Sequence, residues 1–414
     1  MVTDWNMRRI AWLVFMIAAG LLARTEAIRY LRWDEIQPVF AAFAAAGIRT
    51  PSFSDEAEFD GWIRQRDADV RGRIDRGLED SISALVLTGS SYTTLPKIAN
   101  TGDAVNAAGD LTPAARHRVQ AFVQAIDEQD QERFAMVREF LRRQRIPDEE
   151  VRAFVIGSVR RFALEQAGFQ RKHAQGPPRM DGGISGETSL LAGFAIEDSL
   201  TNLKSRGALP AHIRRMAVIG PGLDFAGDMF PPQSIQPFAV LDSVLRLGLA
   251  QAAEVEVTSF DLNPWVLIHL KTLPAKVRSG RYRVQLPPQA AAGWNAGSTA
   301  YWQHFGDLIG KPVKPQFATR ILAEELNIVA QTREASAGQG FDLVVATNIF
   351  GYYNPLEQAM AMTNIAQMLA SGGIVLANNP LPTDKVQALE YLGVRHVSFT
   401  ESGAGDDVVM FRRR

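Results

Sequence analysis

Apolar residues recur with a helical period in the first part of the chain. They lie three and four positions apart in three successive runs: Val119, Phe122, Val123 and Ile126; Phe134, Val137, Phe140 and Leu141; and Val151, Phe154, Val155, Val159 and Phe162. Thr112 and Pro113 form a helix start before the first run, because threonine caps a helix and proline suits its first turn. This pattern predicts a helical domain over residues 28–180.

The pattern changes after a Gly- and Pro-rich segment at residues 171–187, which we take as the domain boundary. Short apolar runs, typical of buried strands, then alternate with helical patterns. The runs predict strands at 216–219, 255–260, 341–346 and 374–377, and helices at about 188–206, 237–251 and 355–370. Alternating strands and helices indicate a parallel sheet with crossover helices. We therefore predict a Rossmann-like α/β domain over residues 181–414.

The end of the chain departs from this alternation. Two strands are predicted at 396–400 and 408–411, joined by a loop too short for a parallel crossover. The last strand should therefore run antiparallel in a mostly parallel sheet.

The amino terminus contains an uncharged apolar run at residues 10–23, preceded by Arg8 and Arg9. As a helix this run is shorter than the roughly 30 Å hydrocarbon core of a bilayer. A basic region followed by a short apolar run is typical of a bacterial signal peptide. Residues 1–27 are thus predicted to be a signal peptide or an N-terminal anchor, for a protein that is exported, periplasmic or attached to the inner membrane. The alternative is a buried core helix in a cytoplasmic protein.

Composition limits the chemistry that the chain can perform. Lys and Arg number 44 and Asp and Glu 45, for a net charge of −1, which argues against nucleic acid as a partner. Cysteine is absent, so thiol nucleophiles, disulfides and thiolate zinc sites are excluded. The six histidines show no metal-ligand spacing, and we predict no metal site.

A glycine turn and an acidic residue mark a candidate ligand site. Gly220, Pro221 and Gly222 follow one predicted strand, and Asp261 ends the next. In an open α/β sheet such a turn admits a nucleotide-like ligand, and the acid accepts the ribose hydroxyls. Phe225 stands where a dinucleotide fingerprint requires glycine, so a nicotinamide-dependent oxidoreductase is the weaker alternative. Asp261 could also cap the following helix, which begins at Pro264.

The glycine turn, the acid at the end of the next strand, the later strands at 341–346 and 374–377, and the closing antiparallel pair follow one another along the chain. This order resembles that of class I S-adenosylmethionine-dependent methyltransferases, over residues 181–414. The resemblance implies a seven-stranded sheet with an antiparallel last strand, S-adenosylmethionine as cofactor, and a small-molecule or protein methyl acceptor. It places Gly220, Pro221, Gly222 and Asp224 at the methionine part of the cofactor, Asp261 at the ribose, and Leu262 and Asn263 at the adenine. Glu324 or Glu325, after a strand predicted near 319–323, would lie at the adenine amino group. Residues 348–353 would line the methyl-transfer mouth, where Asn348 and Tyr352 would be the catalytic residues, with Asn348 also touching the cofactor. Each residue has a purely structural alternative: Asn348 could satisfy a turn, and Tyr352 could be a packing aromatic.

A second hypothesis belongs to another class of protein. The family usually has an acid where this chain has Val218, and a glycine where it has Asp224. These two departures, together with the conflict between a predicted export signal and a cytosolic cofactor, motivate the alternative of an exported, non-catalytic binding or scaffold protein on a degenerate methyltransferase fold.

Overall fold

A computed structural model describes residues 27–172, 192–225, 231–280, 282–284, 293–305, 318–334, 338–379, 381–382 and 385–414. The predicted signal peptide or anchor falls almost wholly outside these residues, and so does the predicted domain boundary at 180/181. No helix in the described ranges is long and apolar enough to cross a membrane.

The strands form one large sheet and one small one. The strands, in chain order, are β1 (Ile28–Tyr30), β2 (Arg215–Ile219), β3 (Glu256–Asp261), β4 (Ile321–Glu325), β5 (Gln331–Arg333), β6 (Phe341–Ala346), β7 (Leu369–Ala377), β8 (Leu389–Ser398) and β9 (Gly405–Arg413). Seven of them pair in the order β4-β3-β2-β6-β7-β9-β8. Neighbours from β4 to β7 are parallel, whereas β9 runs antiparallel to both β7 and β8. This confirms the predicted Rossmann-like sheet and its antiparallel last strand.

Helices surround this sheet. Within the described ranges they are α1 (Trp33–Ala45), α2 (Glu56–Thr88), α3 (Pro113–Glu128), α4 (Glu132–Arg143), α5 (Val151–Lys172), α6 (Ala192–Ser205), α7 (Gln236–Arg246), α8 (Pro264–Arg278), α9 (Ala296–Phe305) and α10 (Pro355–Met368). The predicted start of α3 is confirmed, since the Thr112 hydroxyl accepts from the backbone N–H of Ala115 at 3.3 Å and Pro113 occupies the first turn.

Alternation along the strands produces a core on each face of the sheet. Along β2, Met216 and Val218 belong to one hydrophobic cluster and Ala217 and Ile219 to the other. This follows from the period of two in a strand, which sends successive side chains to opposite faces. Each cluster contains residues from the N-terminal helices as well as from the sheet, so both halves of the chain contribute to both cores.

The 33-residue helix α2 passes from one core to the other. It begins at the cap Asp55, whose side chain accepts from the backbone N–H of Glu58 at 2.9 Å. Its first half, up to Val70, packs in the cluster that contains Ile219, and from Ile74 onward it packs in the cluster that contains Val218. A helix that changes faces in this way must cross an edge of the sheet. The contacts described below show that it crosses at the carboxyl ends of the strands.

Strand β1 is a feature that the helical pattern did not predict. It pairs antiparallel with β5, so that Ile28 lies opposite Arg333 and Tyr30 opposite Gln331. The Tyr30 hydroxyl also donates to the Asp67 carboxylate on α2 at 2.9 Å. The amino-terminal part of the described chain is thereby attached to the segment that follows β4.

Candidate active site

A cleft opens at the carboxyl ends of β2, β3, β4 and β6. Its walls come from the last residues of these strands and the segments that follow them, 219–222, 260–263, 326–328 and 347–349, and it spans about 770 Å³ of atom-free space including its open mouth. From β2 the chain builds the sheet outward to β3 and β4, and then returns to add β6 on the other side of β2. The cleft therefore lies at the point where the strand order reverses, which is where open α/β sheets bind ligands.

The glycine turn is the floor of this cleft. Gly220 and Gly222 have φ angles of +64° and +69°, in the left-handed region that favours glycine. The Gly220 backbone N–H donates to the Phe260 carbonyl at 2.8 Å, which joins the ends of β2 and β3. A Cβ atom on Gly220 would collide with Cγ2 of Ile349, beyond the end of β6. Both the backbone angle and the close approach of β6 thus require glycine at position 220.

Asp261 is held at the end of β3 by backbone donors. Its Oδ1 accepts from the N–H of Asn263 at 2.7 Å, and the N–H groups of Leu262 and Gly222 also hydrogen-bond to the carboxylate. The capping role proposed as its alternative is filled by Asn263, whose Oδ1 accepts from the Trp265 N–H at 2.9 Å. Burial outweighs these donors and raises the pKa of Asp261 to about 6.

The raised pKa of Asp261 predicts a pH dependence of ligand binding. Ribose hydroxyls donate hydrogen bonds, so they favour the ionised carboxylate and lower its pKa in the complex. With a pKa of about 6 in the free chain, we expect affinity for S-adenosylhomocysteine at pH 5 to be about tenfold lower than at pH 8. Titration calorimetry at half-unit pH intervals measures this. Affinity should rise through pH 6 and level off above pH 7, and an affinity independent of pH over this range would contradict the role of Asp261.

The raised pKa of Asp261 changes folding stability with pH in the opposite direction to ligand affinity. The folded pKa lies above the ordinary value of 3.8, so folding favours the protonated carboxyl. The contribution of Asp261 to the free energy of unfolding is therefore largest below pH 3.8 and falls as the pH rises through about 6.

Polar side chains from the segment after β6 and from α7 form the wall opposite Asp261. Thr347, Asn348 and Gln236 all line the cleft, and Gln236 donates through its amide to the Thr347 hydroxyl. Asn348 has a φ of +60°, a strained angle for any residue with a side chain, although asparagine tolerates it better than most. Such strain clusters at functional sites and is maintained by surrounding contacts.

Helix α2 forms the outer side of the mouth. Ile74 lines the cleft, and the preceding residue, Arg73, donates to the Tyr352 carbonyl at 2.8 Å and to the Glu357 carboxylate at 2.8 Å. The Arg73 guanidinium also lies over the Tyr353 ring, 5.6 Å from its centroid. These contacts fix the segment after β6, so that Tyr352 and Tyr353 both line the cleft.

Three of the predicted site residues, Asp224 and the alternatives Glu324 and Glu325, are not among those that line the cleft. The Glu324 carboxylate lies 3.6 Å from the Arg333 guanidinium. The backbone N–H of Asp224 donates to the Gln233 carbonyl at 2.8 Å, in a short bridge beyond the glycine turn. Glu325 pairs with Arg71 of α2, and its side chain is half exposed. The other predicted residues, Gly220, Pro221, Gly222, Asp261, Leu262, Asn263, Asn348 and Tyr352, are brought together around the cleft.

Residues that the sequence patterns did not single out complete the lining. They are Ile74, Ile219, Gln236, Phe260, Leu326, Ile328 and Thr347. Thr347 flanks a predicted residue and could have been found from the strand end. Ile349 and Tyr353 belong to the predicted mouth segment 348–353, and both line the cleft. Ile74 and Gln236 come from helices, and only the packing of those helices reveals them.

Comparison with known proteins gives matches at the level of structure only. No protein-family model matches the chain, and no curated protein matches it. The N-methyltransferase NodS from Bradyrhizobium japonicum aligns with 53% of this chain and 94% of its own, at 12% identity and a TM-score of 0.29. A TehB-like SAM-dependent methyltransferase from Corynebacterium glutamicum aligns with 54% of this chain and 98% of its own, at 12% identity and a TM-score of 0.28. At such values, function has to be argued from the cleft of this chain itself.

Proposed function

We propose that the cleft binds S-adenosylmethionine and that the chain transfers its methyl group to an acceptor at the mouth formed by Asn348 and Tyr352. The observation that supports this most directly is the pairing of the Gly220–Gly222 turn with the Asp261 carboxylate. The two stand at the ends of adjacent strands and are joined by hydrogen bonds between backbone groups and from the Gly222 N–H to Asp261. This is the arrangement that an adenosine-containing ligand needs at the switch point of an α/β sheet.

The residues present fit such a cofactor. The left-handed turn brings the backbone, without side chains, against the ligand, and Asp261 offers an acceptor to the ribose hydroxyls. Leu262, Leu326 and Ile328 add apolar surface for the adenine ring. Glu325 is engaged by Arg71, so recognition of the adenine through that side chain is not part of the proposal.

The role of the chain in the reaction is chiefly to position the acceptor. The bound sulfonium supplies an activated methyl group, and in-line orientation then lowers much of the barrier. Among the described residues of the lining, Asp261 is the single acidic or basic side chain, and it lies at the ribose end. Burial raises the pKa of Tyr353, so its hydroxyl stays protonated near neutral pH. The cleft thus favours an acceptor that is already nucleophilic, either a small molecule or a protein side chain.

Calorimetric titration of the full chain with S-adenosylhomocysteine tests this proposal. We expect one site with micromolar affinity, and no heat with NADH at the same concentration. A folded sample that binds no S-adenosylhomocysteine at millimolar concentration would contradict cofactor binding. A sample that binds NADH instead would favour the oxidoreductase alternative. Release of S-adenosylhomocysteine from S-adenosylmethionine in the presence of an acceptor then separates an enzyme from a binding protein.

A further inference from the structure

A chain of side-chain hydrogen bonds stands behind Asn348 at the cleft mouth. It begins at Asn348, after β6, passes through Asn378, after β7, and ends at Asp406 on β9. Asn378 Oδ1 accepts from the backbone N–H of Asn348 at 2.6 Å. Asn378 Nδ2 donates to Asn348 Oδ1 at 2.7 Å and to the Asp406 carboxylate at 2.7 Å. Asn378 itself is 8% exposed, so water does not compete freely for these bonds.

The chemistry of these partners fixes which way each amide faces. A backbone N–H can only donate, so the group of Asn378 that meets it must be the oxygen. The NH₂ group of Asn378 is then directed at Asp406, an acceptor when ionised, and at the side chain of Asn348. Asn348 must therefore turn its own oxygen toward Asn378. The amide orientation of Asn348 is thus determined by two neighbouring strands rather than by the ligand.

The side chain of Asn348 consequently has its NH₂ group left for the cleft. Asn348 is exposed and lines the cleft. Its Nδ2 makes no hydrogen bond to any part of the chain that the structure describes. The positive φ of Asn348, +60°, adds a backbone cost that these contacts must offset. The donor of this strained residue is thus fixed at the cleft and available to a ligand that accepts a hydrogen bond.

We propose that Asn348 donates a hydrogen bond to the methyl acceptor, and that Asn378 and Asp406 are positioning residues that hold its amide in the donating orientation. This rests on the proposed function and names the class of acceptor. A donor directed at the nucleophilic lone pair would quench it, so the hydrogen bond must go to a neighbouring atom. The inferred acceptor therefore carries a hydrogen-bond-accepting group, such as a carbonyl or carboxylate, beside the atom that is methylated.

The first test measures the amide orientation without any ligand. In ¹⁵N-labelled full chain, the side-chain NH₂ signals of Asn348 and Asn378 are assigned by their loss in Asn348→Asp and Asn378→Asp variants. We expect exchange with water to be at least tenfold slower for Asn378 than for Asn348. Asp406→Leu should accelerate exchange at Asn378 at least tenfold, whereas Asp406→Asn, which retains an acceptor oxygen, should largely restore protection. An Asn348 NH₂ group as protected as that of Asn378 would overturn the proposal.

The second test uses acetate and methylammonium as probes of the donor. Each is titrated into the chain with and without S-adenosylhomocysteine, following the Asn348 NH₂ signals. Acetate should shift them and methylammonium should not, and Asn348→Asp should weaken acetate binding at least tenfold. The matched control is Asn354→Asp, which adds the same charge nearby but keeps the acceptor that caps α10 at 3.0 Å from the Leu356 and Glu357 N–H groups. Acetate binding that is absent, or equal in the two variants, would refute the inference.

The two proposals fail in different ways. If S-adenosylhomocysteine does not bind, cofactor use is refuted, whatever orientation the amide has. If it binds equally well to the wild type and to Asn348→Asp while the Asn348 NH₂ group proves protected, the cofactor proposal stands and the donor role is refuted.

Discussion

Replacing Asp261 by asparagine should lower the affinity for S-adenosylhomocysteine by about 100-fold or more. In the proposed complex the Asp261 carboxylate accepts from two ribose hydroxyls, and each hydrogen bond to a charged group contributes about 1.5–3 kcal/mol. Losing one such bond, and weakening the other because the side chain becomes neutral, should cost more than about 2.8 kcal/mol of binding free energy. That cost is about a hundredfold in the dissociation constant. Titration calorimetry at pH 8, where the carboxylate is ionised, measures the change. The variant should also lose the dependence of affinity on pH around 6.

Folding stability distinguishes this loss from simple unfolding. At pH 8 the ionised Asp261 is costly to bury, as its pKa of about 6 against 3.8 shows. The Asp261→Asn substitution would remove that cost, on the order of 3 kcal/mol, but would reduce the acceptor capacity toward the N–H groups of Leu262, Asn263 and Gly222. Because these effects oppose one another, we expect the free energy of unfolding to change by less than about 2 kcal/mol.

Glu325→Gln is the matched control for Asp261→Asn. It makes the same carboxylate-to-amide change on the neighbouring strand β4, but Glu325 pairs with Arg71 rather than lining the cleft. Its effect on affinity should be less than about threefold, as expected for an exposed ion pair. If both variants bind S-adenosylhomocysteine as the wild type does, the result would favour the hypothesis of a non-catalytic scaffold protein over that of a methyltransferase.

These controls also show how far the sequence could predict the site. The residues at strand ends were found because a buried strand, a glycine turn and an acid are local signals. The β6 strand was predicted with the bounds Phe341–Ala346 that the structure has. Glu325 was assigned to the loop after a strand at 319–323, whereas β4 is Ile321–Glu325. Because the strand ends two residues later than predicted, Glu325 lies within β4, where its carboxylate pairs with Arg71.

Contacts between distant parts of the chain could not be read from local patterns. Helical periodicity predicts which face of α2 is buried, but not that its two halves pack on opposite faces of the sheet. Nothing local to Arg73 indicates its bonds to Tyr352 and Glu357. In the same way, local patterns place Asn348 at a strand end, but its orientation depends on Asn378, which follows β7, and on Asp406 of β9. The sequence thus located the cofactor half of the cleft better than the acceptor half.

Gly220→Ala tests whether the turn has to be bare of side chains. The backbone at φ +64° strains any other residue, at a cost of about 1 kcal/mol. The new Cβ would also collide with Ile349, a branched side chain in the segment that follows β6. Since Ile349 cannot move without displacing the segment after β6, the free energy of unfolding should fall by about 2–4 kcal/mol in total. Affinity for S-adenosylhomocysteine should fall by at least ~30-fold, because the turn and the opposite wall of the cleft are both displaced.

The Gly248→Ala variant separates the backbone strain from the collision with Ile349. Gly248 has nearly the same φ, +65°, but a Cβ there would meet nothing within 4 Å. It should therefore show the backbone cost alone, about 1 kcal/mol, with unchanged affinity. Denaturant unfolding and calorimetry of both variants give the comparison. If Gly220→Ala behaves like Gly248→Ala in both measurements, then Ile349 adapts and the close approach of β6 to the turn does not shape the cofactor cleft. A loss of affinity in Gly220→Ala alone would instead show that cofactor binding depends on the contact between the ends of β2 and β6. These are the two strands between which the strand order reverses.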